Sequence, residues 1–247
     1  MLADCKKEPF GRQLCLKCLR PVSSCFCSRL SPVPTQSKII LLMHPKEAKR
    51  SHLGTGRLAK SILPNAEIIV GENFDSNEKV QNILNSSDFF PMLLYPGERS
   101  INLSKDQLII PEERIPVIFV LDGTWPCAKS MMRDSHSLHS IMRISFDSSV
   151  ESKFIIRQQP ERYCLSTIES IYHLLCGLEI QGVEQLGQSK EELNKALQLL
   201  VDYQLECARD PSRNHYRAGT SYKPPEQRRR SKKWSQRQVC FLDKNYK

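Results

Sequence analysis

The chain has 247 residues, 40% of them hydrophobic and 26% charged, with ten cysteines and a formal net charge of +9. That length suits one substantial domain with its own core plus small appendages. No apolar run approaches the roughly 18–20 residues of a bilayer span, and residues 1–13 lack the apolar stretch of a secretory signal. An intracellular protein, cytoplasmic or nuclear, with reduced thiols is expected.

The charge is uneven. Residues 1–30 carry six Lys/Arg against two acids, residues 217–239 carry eight against one, and the stretch between is slightly acidic. Basic ends on a near-neutral body suit a polyanion, most simply nucleic acid. A solubilising tail or a nuclear-localisation run at Arg228–Lys233 accounts for the same composition.

Residues 1–30 are rich in cysteine and poor in aliphatics, so they cannot build an apolar core alone. Cys15, Cys18, Cys25 and Cys27 form a C-x2-C, C-x-C set. Zn²⁺ takes four thiolates in a tetrahedron, and a closed four-thiolate site leaves no position for a catalytic water. A structural zinc segment is expected, against the alternative of reduced, unligated thiols. Pro32 and Pro34 mark a linker.

Ile39–Met43 is a continuous apolar run, hence a buried strand. Ser51–Leu63 has helical spacing and stops before Pro64. Glu67–Val70 reads as a strand, Glu78–Leu84 as a helix, and Pro91–Tyr95 as a strand closed by Pro96 and Gly97. Pro116–Leu121 is the clearest strand, and a helix begins near Ala128. Lys153–Arg157 reads as another strand. Ser166 with Glu169 and Ser189 with Glu192 are capping boxes, ahead of helices that reach Leu178 and about Cys207. Three segments follow: a zinc segment at 1–30, a main domain at 31–216, and a basic tail at 217–247. The main domain is α/β, a mainly parallel sheet with helices on both faces.

In such sheets ligands bind beyond the carboxyl ends of the strands, and the polar residues gather there. Asp122-Gly123-Thr124-Trp125-Pro126 follows the clearest strand and offers a carboxylate, a capping hydroxyl and an indole beside a helix N-terminus. A capped turn with Trp125 as a core anchor accounts for these residues nearly as well. His44 follows the first strand, and Thr55-Gly56-Arg57 resembles a turn that grips phosphate or carboxylate. Tyr95-Pro96-Gly97 and Arg157 follow other strands, and Arg157 leads towards Ser166, Thr167 and Glu169. The P-loop, nucleophile-elbow, zinc-protease and zinc-deaminase patterns are absent.

Taken in order, the cysteine set, His44-Pro45, Thr55-Gly56-Arg57, Leu94–Gly97, Asp122–Trp125, Arg157–Pro160 and Leu165–Thr167 with Glu169 resemble the DTW-domain family of tRNA-uridine aminocarboxypropyltransferases. The resemblance covers about residues 12–216. It implies an α/β fold related to the SPOUT enzymes, in which a knotted C-terminal half is one form. It implies S-adenosylmethionine as co-substrate, transfer of its 3-amino-3-carboxypropyl arm, and N3 of a uridine in the D-loop of tRNA as acceptor. With Asp122, Thr124 and Trp125 as the catalytic set, Asp122 would act as general base and Trp125 would stack the uracil or shield the donor. His44, Thr55, Gly56, Arg57, Tyr95, Pro96, Gly97, Arg157, Ser166, Thr167 and Glu169 would surround the donor, with Arg57 or Arg157 on its carboxylate. A methyltransferase of similar fold, or a non-catalytic RNA-binding module built on the zinc segment and tail, stands as the alternative.

Overall fold

The computed structural model describes residues 13–49, 54–147, 150–156 and 164–209. Its centre is a six-stranded sheet made of β1 (Lys38–Met43), β2 (Ala66–Val70), β3 (Phe89–Leu94), β4 (Ile101–Asn102), β5 (Ile115–Asp122) and β6 (Met142–Ser145). The order is β2-β1-β5-β3-β6-β4, and every pairing is parallel. The helices are α1 (Pro45–Ala48), α2 (Thr55–Ile62), α3 (Glu78–Asn85), α4 (Trp125–Asp134), α5 (Thr167–Ile180) and α6 (Glu191–Arg209).

The continuous apolar runs of β1 and β5 have a physical reason: both faces of the sheet are covered. Ile39 and Leu41 of β1 and Ile118 and Val120 of β5 pack with α2, α5 and α6. Their alternates Ile40, Leu42, Val117 and Phe119 pack with α3 and α4 through Val80, Ile83, Met131 and Met132. Alternate side chains leave opposite sides of a strand, so a strand buried on both sides must be apolar throughout.

This topology positions the site. After β1 the chain crosses by α2 on one face, and after β5 it leaves by α4 on the other. Adjacent strands whose connections diverge to opposite faces open a crevice at their carboxyl ends. His44 follows β1 and Asp122 ends β5, and the His44 amide donates to the Asp122 carbonyl at 2.9 Å.

Three expectations from the sequence need correction. Lys153–Ile156, the described part of the expected strand at 153–157, is irregular. Phe154 is buried there, but the Lys153 amide donates to the Glu169 carboxylate at 2.6 Å rather than to a neighbouring strand. The box at Ser189 and Glu192 does not form. The Ser189 hydroxyl donates to the Leu186 carbonyl, and Glu192 accepts from the amide of Ser31. The helix expected from Ser51 runs from Thr55, and residues 51–53 lie outside the described residues. Strands β4 and β6 were not foreseen, being short and lacking a continuous apolar run. The box at Ser166 and Glu169 is present in both directions. The basic tail lies outside the described residues.

Glu184, in the turn between α5 and α6, is 1% exposed. Its two oxygens accept from the amides of Gln36 and Ser37 at 2.9 and 2.8 Å, tying the approach to β1 to that turn. Glu184→Gln keeps the shape but exchanges one acceptor oxygen for a donor facing a donor. It is expected to lower unfolding free energy by about 1–3 kcal/mol, read by urea denaturation; an unchanged midpoint would show that the pairing contributes nothing.

Candidate active site and metal centre

Asp122 is the last residue of β5 and is 5% exposed. A carboxylate so buried needs hydrogen-bonding partners to offset its lost hydration. Thr167, the first residue of α5, donates its hydroxyl to Asp122 Oδ1 at 2.6 Å. The other side of the carboxylate lies against the first turn of α2: a Cβ on Gly56 would stand 2.7 Å from Asp122 Cγ. Residue 56 must therefore be glycine because the carboxylate occupies the space of a side chain. The turn expected to grip an anion meets one that the chain itself supplies, at a helix end whose free amides favour negative charge.

The next residues start α4. Gly123 passes close to its neighbours, since a Cβ there would lie 3.1 Å from Cys127 Cβ and 3.4 Å from His44 Cβ. Thr124 caps α4, its hydroxyl accepting from the Cys127 amide at 3.4 Å. Trp125 is half-buried, so it is not a wholly enclosed core anchor. His44 caps α1 through Nδ1, which accepts from the Lys46 amide at 3.1 Å, while Nε2 stands 3.4 Å from the carboxylate of Glu72. Three helix starts, those of α2, α4 and α5, thus converge on the end of β5.

The remaining expected residues divide. Thr55 and Gly56 form the first turn of α2. Arg57 turns away from Asp122 towards α1, its Nη2 donating to the Ala48 carbonyl at 3.1 Å, and its buried Nε has no hydrogen-bond partner among the described residues. Ser166 and Glu169 flank Thr167, and their polar atoms face inward. The Glu169 carboxylate accepts from the Ser166 amide and hydroxyl, from the Ser152 hydroxyl and from the Lys153 amide. It fixes the start of α5, and so the place of Thr167. Tyr95, Pro96 and Gly97 stand at the end of β3, one strand from Asp122. Arg157 lies outside the described residues. Arg143 of β6 went unremarked in the sequence, although its guanidinium stacks 5.6 Å from the centre of the Tyr95 ring. A single basic residue in a short alternating strand gave little to find it by.

The four cysteines meet elsewhere. Their sulfurs lie within 4.8 Å of one another, with Cys15–Cys27 at 3.9 Å and Cys18–Cys25 at 3.7 Å. A tetrahedron of sulfurs about 2.3 Å from a central ion has edges of about 3.8 Å, so the set can hold a metal ion. Cys15, accepting from the Cys18 amide, is held down at about 6, while burial pushes the thiols of Cys18 and Cys27 up. The buried guanidinium of Arg20 lies 4.9 Å from the Phe26 ring centre, and Phe26 meets Tyr203 of α6 edge-on at 5.9 Å. The segment is thus docked on α6, away from Asp122.

The Asp122–Gly56 contact gives a direct test. Gly56→Ala is expected to destabilise the fold by about 1–3 kcal/mol, because the carboxylate must move. Gly97→Ala, whose new carbon meets only Arg143 Nη1 at 3.6 Å, should stay within about 0.5 kcal/mol of the unaltered protein. Equal thermal unfolding of the two variants would remove the steric claim.

The DTW domain family matches residues 12–205. A Drosophila melanogaster protein named tRNA-uridine aminocarboxypropyltransferase 2 is 34% identical over 206 residues, 80% of this chain and 77% of its own length. The mouse protein of that name is 30% identical over 79% of this chain and 64% of its own length. An Arabidopsis thaliana protein named tRNA-uridine aminocarboxypropyltransferase A is 27% identical over 70% of this chain and 75% of its own length. No solved structure gives a significant match. On the extent of the domain match and the identity to the Drosophila protein, the chain belongs to the DTW-domain family.

Proposed function

We propose that this protein transfers the 3-amino-3-carboxypropyl arm of S-adenosylmethionine to N3 of a uridine in the D-loop of tRNA, releasing methylthioadenosine. The names of its relatives support the reaction class. The observation that carries the reading to residues is the Asp122 carboxylate, held at the strand end three residues before a half-buried tryptophan.

The imide N3 of uridine is a poor nucleophile while it keeps its proton. Asp122 takes that proton as general base, and the freed electron pair attacks Cγ of the donor. The N3–Cγ bond forms as the Cγ–S bond breaks, and its electron pair passes to sulfur, turning the sulfonium into neutral methylthioadenosine. The leaving group is good, so much of the barrier is met by positioning. Trp125 offers a face for the uracil, and a D-loop base already out of its stack spares the enzyme the cost of unstacking it.

A relation to the SPOUT enzymes and a structural zinc ion in the cysteine set belong to the same proposal. So does an intracellular site of action. Zinc would keep the N-terminal segment folded against α6 and take no part in the transfer. The purified protein is expected to carry about one zinc per chain, and Cys18→Ser to lose most of it, by elemental analysis. A wild-type protein free of metal after purification without chelators would exclude zinc.

A second reading of Asp122 is favoured by its position between Gly56 and Thr167: the carboxylate organises the starts of α2 and α5 rather than taking a proton. Asp122→Asn separates the two. As base, its loss should cut transfer of the donor's carboxyl-labelled arm by about 100-fold or more, with donor affinity and melting temperature little changed. As organiser, its loss should lower both of these. Full activity in a folded Asp122→Asn protein would remove both roles.

A further inference from the structure

Arg143 occupies the middle of β6, paired in register with Leu93 of β3. Its side chain runs along the sheet towards the carboxyl edge. The guanidinium reaches the ring of Tyr95 and passes beneath Gly97, where a Cβ would lie 3.6 Å from Nη1. The loop above it is stapled to the same strand. The Tyr95 amide donates to the Ile144 carbonyl at 3.1 Å, the Ser100 hydroxyl donates to the Gly97 carbonyl at 2.7 Å, and the Ser100 and Ser145 hydroxyls lie 2.9 Å apart. Among the described residues no carboxylate pairs with Arg143. Exposed arginines commonly stand alone, but this one is half-buried and held by an aromatic face, which leaves its planar fork of donors unspent.

Strands β6, β3 and β5 are neighbours. Arg143 and Asp122 stand on the strands either side of β3, two strand spacings or roughly 10 Å apart across the sheet, but they leave opposite faces of it: Arg143, in register with Leu93, is on the α3/α4 face, and Asp122 is on the α2/α5 face. One ligand reaches both only over the carboxyl edge, towards which the Arg143 guanidinium extends past Tyr95. The guanidinium arises from a strand and lies under a fixed loop, so it suits a small planar anion better than the phosphate of a polynucleotide. We propose that Arg143 binds the carboxylate of the donor's amino-acid arm, presenting Cγ rather than the methyl group towards the crevice at Asp122. This assignment rests on the reading that S-adenosylmethionine is the donor, and it gives Arg143 the role that the sequence divided between Arg57 and Arg157.

The test compares two ligands of the full-length, metal-replete protein by calorimetry. S-adenosylhomocysteine carries the carboxylate; methylthioadenosine lacks the arm. Arg143→Gln is expected to weaken S-adenosylhomocysteine about tenfold or more and to change methylthioadenosine less than about twofold. Arg143→Lys, which keeps the charge but not the fork, should fall between. Circular dichroism and thermal unfolding confirm that each variant is folded, and the Lys variant carries the test if the Gln variant is not. An equal loss for both ligands, or no loss for either, overturns the proposal. So does a loss confined to tRNA affinity, which would make Arg143 a phosphate contact. If the unaltered protein binds neither ligand, the donor reading falls and this assignment with it.

Discussion

A buried carboxylate is costly unless its surroundings are built for it, and much of this fold is arranged around one. Asp122 ends the strand that lies between β1 and β3 in the sheet. Its burial requires a donor, which Thr167 supplies from the start of α5, and room, which the missing side chain of Gly56 supplies at the start of α2. Three elements far apart in sequence are thereby fixed relative to one another at a point where the connections of β1 and β5 part to opposite faces. Glu169 extends the arrangement by holding the α5 start to residues 152–153.

The cysteine segment stands apart from this centre and contributes indirectly. Its own sequence lacks the aliphatics for a core, so it borrows one: Phe26 and Leu30 join the cluster formed with α2, α5 and α6. Arg20, buried beside the thiols, brings positive charge to a site that would be strongly negative once all four are ionised. A cation held by the set would share that neutralisation with the guanidinium, while the edge contact of Phe26 with Tyr203 fixes where the segment sits. A closed thiolate set suits scaffolding rather than chemistry.

Features set by local chemistry were legible in the sequence, and features set by distant partners were not. The apolar runs of β1 and β5 announced strands buried on both faces, and Thr124 and the Ser166–Glu169 box announced helix starts that the structure contains. The cysteine spacing announced a cluster that the structure assembles. Ser189 and Glu192 have the same spacing as the true box, yet Glu192 is claimed by Ser31, 161 residues away, and no local rule anticipates that. Lys153–Ile156 looks like a strand because of its apolar residues, but its backbone is claimed by a buried carboxylate. At the site, the place of Asp122 at a strand end was readable from the apolar run before it. Its bond to Thr167, the steric demand on Gly56 and the placing of Arg143 beneath Tyr95 depend on strand order, which the sequence does not state.

Which group is moved, and to what, is tested by incubating the purified protein with an unmodified tRNA transcript and S-adenosylmethionine, followed by mass spectrometry of the nucleosides and of the spent donor. The expected products are uridine bearing an added aminocarboxypropyl group and methylthioadenosine in equal amount. Methylated nucleoside with S-adenosylhomocysteine, or tRNA bound but unchanged, would contradict the proposed transfer.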